Sequence, residues 1–271
     1  MSIPLKVTIG CSKCGKQYQT TIYQSINTNF AKDIPEQIMS GSLFKTKCPH
    51  CKCEDRLEYE ILYNDLNKNS MIWVVNPDYG NYEQKLSEIR TSPVQMCSLT
   101  RSVKNVNELR EKVNCLYGDK DDRAIELCKQ FLKIQLIVDR PDFNCVSAFY
   151  AFDNGKDVIF FYDDEGNELF SFLDEKLYKI MIEFLGTKCL HNEVFAVYDD
   201  VWAESVFSEF IDYTESSGKF ENVVEGAESK KRPQILYCRI CGEKLIENSL
   251  FCSYCGTKVW QEKASVEAII Q

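Results

Sequence analysis

Two hydrophobic rhythms divide the chain. Near the start, Leu5, Val7 and Ile9 alternate with Lys6 and Thr8, and residues 17–24 alternate in the same way, which is the two-residue period of half-buried strands. A short helix is expected from Asp33, with Pro35 in its first turn and Ser40-Gly41 at its end. Residues 43–47 read as a strand, residues 56–63 as another with Leu57, Tyr59, Ile61 and Tyr63 on one side, and residues 71–75 as a further short one.

From residue 84 the period becomes helical. Asn105 and Glu108 have capping-box spacing ahead of Leu109, Val113 and Leu116, and Gly118 closes that helix. A second helix starts in the acidic turn 119–122 and carries Ala124, Ile125, Cys128, Phe131, Leu132 and Leu136 as a wide apolar stripe. Residues 144–173 return to the strand period around Asn154-Gly155 and the polar run 163–167, an antiparallel meander. Helices follow over 174–185, ended by Gly186, and over about 200–213. Residues 214–234 are polar, with Ser216-Ser217-Gly218 and Lys230-Lys231-Arg232-Pro233, and read as a linker.

The pattern predicts an α+β protein: a β domain with helical extension over 1–136, a meander with helices over 137–213, the linker, and a small cysteine module over 235–260. At 271 residues and 44% apolar, the chain can bury a core in each of the larger parts. No stretch approaches a membrane span, and the first residues hold no apolar run of signal length, so a cytoplasmic protein is expected.

The fourteen cysteines supply the chemistry. Cys11 and Cys14 form one Cys-x-x-Cys pair, and Cys48 and Cys51 form another 33 residues on. Cys238 and Cys241, then Cys252 and Cys255, repeat the device compactly. Two facing pairs make a tetrahedral thiolate site, and Zn²⁺ is the expected occupant at both places; four protein ligands leave no position for water, so both sites are structural. A positive φ after the second cysteine is met by Gly15, Gly242 and Gly256, whereas Lys52 makes the second knuckle the less regular. Cys53 and His50 lie off the spacing. Cys97, Cys115, Cys128, Cys145 and Cys189, together with Cys53, read as small buried hydrophobes.

Charge narrows the partner. The net charge of −9 is concentrated in residues 64–228, which carry −14, against +2 before them and +3 after. Dense phosphate-neutralising lysine and arginine are missing. Of the two histidines, His50 and His191, neither sits in a nucleophile–base pattern, and no phosphate-binding glycine loop occurs. Asp119, Asp121 and Asp122 read as helix-start acids, and the 163–167 acids as a hairpin turn rather than a calcium loop.

The assembled residues resemble the CpXC family, prokaryotic proteins named for two Cys-Pro-x-Cys motifs. Cys48-Pro49-His50-Cys51 fits as written, while Cys11-Ser12-Lys13-Cys14 carries serine for proline. Further likeness lies in Ile26-Asn27, Ser40-Gly41-Ser42-Leu43, Leu62-Tyr63-Asn64-Asp65, Trp73 and the stretch 109–129 with Asp121-Asp122-Arg123-Ala124. The tail resembles appended zinc ribbons, with Tyr237 and Trp260 flanking its cysteines. Neither resemblance brings a catalytic residue. The expectation is a non-enzymatic zinc protein with a protein-interaction or scaffolding role. Its rival is a nucleic-acid-binding zinc-ribbon protein using Lys230-Lys231-Arg232 and Arg239.

Overall fold

The computed structural model describes residues 2–30, 32–91, 97–153, 155–188 and 194–219. The C-terminal cysteines Cys238, Cys241, Cys252 and Cys255, the basic run 230–232, Arg239, Cys189 and His191 lie outside them.

Strands β1 (Ile3–Gly10) and β2 (Gln17–Asn27) form an antiparallel hairpin in register from Pro4↔Tyr23 to Gly10↔Gln17. Helix α1 (Ile34–Ser40) follows and stops where Gly41 turns left-handed at φ 77°. Asp33 stands at its N-cap position, but its carboxylate accepts from the Gln37 side-chain amide at 2.5 Å instead of capping a backbone N–H. A 3₁₀ turn occupies Ser42–Phe44, so the strand expected over 43–47 shrinks to β3 (Lys45–Lys47), which pairs with β4 (Glu54–Arg56).

The single strand expected over 56–63 is broken. After β4 the chain is irregular until β5 (Leu62–Asp65), although Tyr59, Ile61 and Tyr63 are buried as their alternation requires. Strand β6 (Ser70–Val74) and, after helix α2 (Tyr82–Thr91), strand β7 (Leu99–Val103) complete a five-stranded sheet of order β1-β2-β5-β6-β7. The sequence reading missed β7. Its Arg101 and Ser102 look solvated, yet both are buried, because Ser102 N–H donates to the Ala196 carbonyl and the 194–198 segment covers that edge.

Helix α3 (Val106–Tyr117) begins on the expected pair with the return bond shifted by one residue: the Asn105 side chain accepts from Glu108 N–H at 2.9 Å, while the Glu108 carboxylate accepts from the N–H of Lys104, the residue before the cap, at 2.8 Å. Helix α4 (Asp122–Asp139) starts with Asp121 accepting from Arg123 N–H. Between them Gly118 has an ordinary φ, and Asp119 takes the left-handed turn at φ 52°. Gly118 is needed for space, since a Cβ there would land on the Tyr150 hydroxyl, which is buried and donates to Asp157 at 2.5 Å. Gly118→Ala is therefore expected to lower stability by about 1–3 kcal/mol through overpacking, read from a denaturant midpoint that shifts with little change in slope.

The meander is β8 (Cys145–Asp153), β9 (Lys156–Asp163) and β10 (Glu168–Phe172), in order β10-β9-β8. Its second turn is closed by Asp163, which accepts from the N–H groups of Glu165 and Asn167. The carboxylate is spent on the turn, as the hairpin reading requires. Helices α5 (Glu175–Thr187) and α6 (Asp200–Ser216) pack on one face with α4, around Leu127, Phe131, Tyr150, Phe161, Met181, Phe184 and Phe210. Helix α5 runs through Gly186, which stays right-handed, and α6 continues through buried Thr214 into the segment read as linker. A second core, built on Ile26, Ile38, Phe44, Tyr63, Ile72, Leu109 and Val113, lies between the five-stranded sheet, α1 and α3. Among the described residues no helix is long and apolar enough to cross a membrane.

Candidate metal centre

Both hairpins in the N-terminal part end in a cysteine knuckle. The β1–β2 register closes at Gly10↔Gln17, leaving 11–16 as the tip; the β3–β4 register closes at Lys47↔Glu54, leaving 48–53. The tips are built alike. Cys11 N–H donates to the Lys16 carbonyl at 3.0 Å and Gly15 N–H to the Cys11 carbonyl at 2.9 Å, while Cys48 N–H donates to Cys53 at 2.8 Å and Lys52 N–H to Cys48 at 3.0 Å. Gly15 sits at φ 69° and Lys52 at φ 62°.

The second knuckle is thus not irregular. Lysine adopts the left-handed conformation that glycine takes opposite it, at a steric cost of about 1–2 kcal/mol. Lys52→Gly should relieve that cost and, after the entropy glycine adds to the unfolded chain, raise stability by about 0.5–1 kcal/mol. A thermal melt of the metal-loaded chain checks this, and no rise in midpoint would contradict the strain.

The hairpins are held face to face. Thr46 Oγ1 donates to Thr20 Oγ1 at 2.9 Å, Tyr18 Oη reaches Asp55 at 3.4 Å, and the Ser12 hydroxyl donates to Asp55. The Ser12 amide also lies 3.4 Å from Asp55, a donor that proline at this position could not supply. Cys11, Tyr18 and Cys48 form a small buried cluster with Ile9, Cys51 and Cys53 against it.

The result brings Cys11, Cys14, Cys48 and Cys51 together, with all four sulfurs within 4.8 Å of one another, an arrangement that could hold a metal ion. Cys11 Sγ lies 3.5 Å from Cys51 Sγ, and Cys14 Sγ lies 3.8 Å from Cys48 Sγ. Both distances are far beyond a disulfide bond, and the nine described cysteines are all unbonded. A tetrahedron with metal–sulfur bonds of about 2.3 Å spaces its sulfurs about 3.8 Å apart. The thiols match that spacing. Cys53 is not in the cluster; its sulfur turns to the Glu54 carbonyl at 3.7 Å, and its own carbonyl closes the second tip. His50 is exposed and also outside it.

The thiols differ as acids. Burial would keep Cys48 neutral, but the N–H groups of Cys51 and His50, with the neighbouring thiols, outweigh it and bring Cys48 down to about 7. Cys11 moves up: the Cys14 N–H favours its thiolate, and burial with the Cys51 thiol overcomes that. Four clustered thiols cannot all ionise unaided, so a bound cation is what would let the set become thiolate.

Residues 9–129 match the family model described as CpXC protein. The CpXC match begins inside β1, takes in both knuckles and ends on α4. No curated protein and no solved structure matches the chain. Within the CpXC span, Asp121-Asp122-Arg123-Ala124 has a structural use: Asp121 caps α4 and pairs with Arg123 at 2.6 Å, while Asp122 is buried against Arg101 and Lys112. Asp119 pairs with Lys68 at 2.7 Å. The three acids point to different partners.

Sequence reasoning missed the largest polar feature of the CpXC span. Arg101, Glu111, Lys112, Asp122, Glu126 and Lys129 are all buried and form one chain of ion pairs. Glu111 also accepts from Tyr150 N–H at 2.6 Å, and Asn114 accepts from Phe152 N–H at 3.0 Å, so α3 side chains satisfy the free edge of β8. Of the other cysteines, Cys115 and Cys128 are buried as expected, but Cys53, Cys97 and Cys145 are only half-buried.

Proposed function

We propose that the four thiols of the paired hairpins bind Zn²⁺ as a closed structural centre, and that the chain acts through interaction with another protein rather than through catalysis. The observation that carries the metal reading is the sulfur spacing of 3.5 and 3.8 Å within an all-cysteine donor set. Soft thiolates in a tetrahedron suit zinc, and four protein ligands leave it no exchangeable position. The C-terminal Cys238, Cys241, Cys252 and Cys255 would hold a second zinc of the same kind. A scaffolding role follows from what the sites lack, an open coordination position, and from the acidic balance of −9, which disfavours phosphate contact. A reducing cytoplasm suits a chain that keeps its thiols for metal.

Elemental analysis of full-length protein purified without added metal tests this reading. Two zinc ions per chain are expected, with one lost in Cys14→Ser and the other in Cys255→Ser. Metal-free protein with cysteines paired as disulfides would sink it.

A further inference from the structure

The meander is apolar on both faces. Tyr150, Ile159, Phe161 and Leu169 face the helices, whereas Phe149, Val158, Phe160, Phe170 and Phe172 line the opposite side by the registers Phe149↔Phe160↔Phe170 and Val158↔Phe172. An antiparallel sheet with one solvated face alternates apolar and polar; one that is apolar in both rows is built to be covered twice. Helices α4, α5 and α6 cover only the first face. Phe149, Val158, Phe170 and Phe172 belong to none of the apolar clusters of the described residues, and within the row Phe170 packs between Phe160 and Phe172, its ring 6.1 Å from each. Helix α3 reaches this side at its border alone, where the Arg110 guanidinium stands 5.6 Å over the Phe149 ring. Val158 and Phe160 are nonetheless buried, 3% and 6% exposed.

We propose that the C-terminal cysteine module of this same chain, residues 235–260, docks on the outer aromatic face of the meander. The chain beyond the described residues is long enough. Lys219 is tied on the helix side by Glu183 and Tyr213, and the 15 residues 220–234 can extend about 50 Å, several times the roughly 10 Å between packed layers. The module is also short of its own core. It carries Ile235, Leu236, Tyr237, Leu250, Phe251 and Trp260 in 26 residues, too few to bury them internally. Charge adds a smaller push in the same direction: residues 229–271 carry +3, about +1 once four thiolates and a Zn²⁺ are counted, against −14 over residues 64–228.

The test uses full-length protein, an equimolar mixture of ¹⁴N- and ¹⁵N-labelled chains, and an amine-reactive cross-linker read by mass spectrometry. Lys156, exposed on the outer face with its amine 5.9 Å from the Phe172 ring, is expected to link to Lys244 or Lys258 within one isotope class. Phe172→Ser should cut those links about tenfold or more, the order set by burying one phenylalanine ring. The Lys120–Lys176 link, which joins the α3–α4 turn to α5, should persist and report an intact fold. If that control is lost, Trp260→Ala tests the contact from the tail and should reduce the same links. Links only between isotope classes would mean a second copy covers the face, and would overturn the proposal. So would absence of any tail link to Lys156, or links unchanged in both variants.

Discussion

Cys48→Ser is expected to remove one zinc ion per chain and to release the two N-terminal hairpins while the helix-backed meander stays folded. Cys48 is fully buried, its N–H closes the second tip, and its sulfur faces Cys14. Among the described residues, what else ties the β1–β2 hairpin to the second hairpin is the Thr20–Thr46 bond and the contacts of Ser12 and Tyr18 with Asp55. β2 meets the sheet only over Ser25↔Leu62 to Asn27↔Asn64, so most of the hairpin is a two-stranded ribbon, marginal by itself in water. The buried apolar cluster at its tip is Cys11, Tyr18 and Cys48. In small structural modules zinc contributes about 10–16 kcal/mol of apparent binding free energy at neutral pH, and most of that becomes folding free energy when no site exists unfolded. Loss of a ligand should therefore appear as lost hydrogen-exchange protection over residues 4–24 and 45–56, with β8 to β10 unchanged. Cys53→Ser, at a half-buried cysteine outside the four-sulfur set, is the control and should keep its zinc. Retained protection in the Cys48 variant would show that Thr20–Thr46 and the Asp55 contacts suffice without the metal.

What the sequence could disclose follows from how each feature is encoded. The knuckles were legible because cysteine pairs at fixed spacing have few other uses, and the first two pairs do meet. Strands β1, β2, β8, β9 and β10 were legible because alternation and turn residues are local. Strand β7 was not. Leu99-Thr-Arg-Ser-Val103 is half polar, and it is a strand only because β6 pairs with it in parallel and the 194–198 segment, about a hundred residues later, seals its other edge. The ion network was hidden for the same reason. Glu111, Lys112, Glu126 and Lys129 occupy positions on α3 and α4 that local periodicity assigns to solvent. They are buried because the meander and the 195–199 segment close over them, as Lys112 donating to the Tyr198 carbonyl at 2.6 Å shows. The strain at Lys52 was readable in kind but misjudged in consequence: a non-glycine residue was taken to alter the turn, and it is the turn that imposes its φ on lysine.

Asp122→Asn should cost about 3–5 kcal/mol at neutral pH, because it removes one member of a buried network and leaves its partners uncompensated. Asp122 accepts two bonds from Arg101, both 2.8 Å, and stands 3.3 Å from Lys112 Nζ. Asparagine keeps the shape but not the charge, so Arg101 loses its bidentate partner in a site with little access to water. The substitution also has a pH signature. Burial alone would raise the Asp122 carboxyl; Lys112 and Arg101 overcome it and hold the group well below its ordinary range. A carboxylate depressed on folding adds stability above its unfolded value near 4, and that stability is lost as pH falls toward the folded value. Burial would raise Glu126 too, but Lys112 and Lys129 overcome it and lower the group in the same sense. Glu111 runs the other way, since burial outweighs Lys129 and raises it, so its protonation on acidification partly offsets the loss. The wild-type chain should accordingly lose stability below about pH 4, and the gap to Asp122→Asn should narrow there. Denaturant titrations of both proteins from pH 7 to pH 3 decide it: parallel pH dependence, or a difference under about 1 kcal/mol at pH 7, would mean that the Arg101–Asp122–Lys112 contacts are solvated in solution and do not tie α4 to β7.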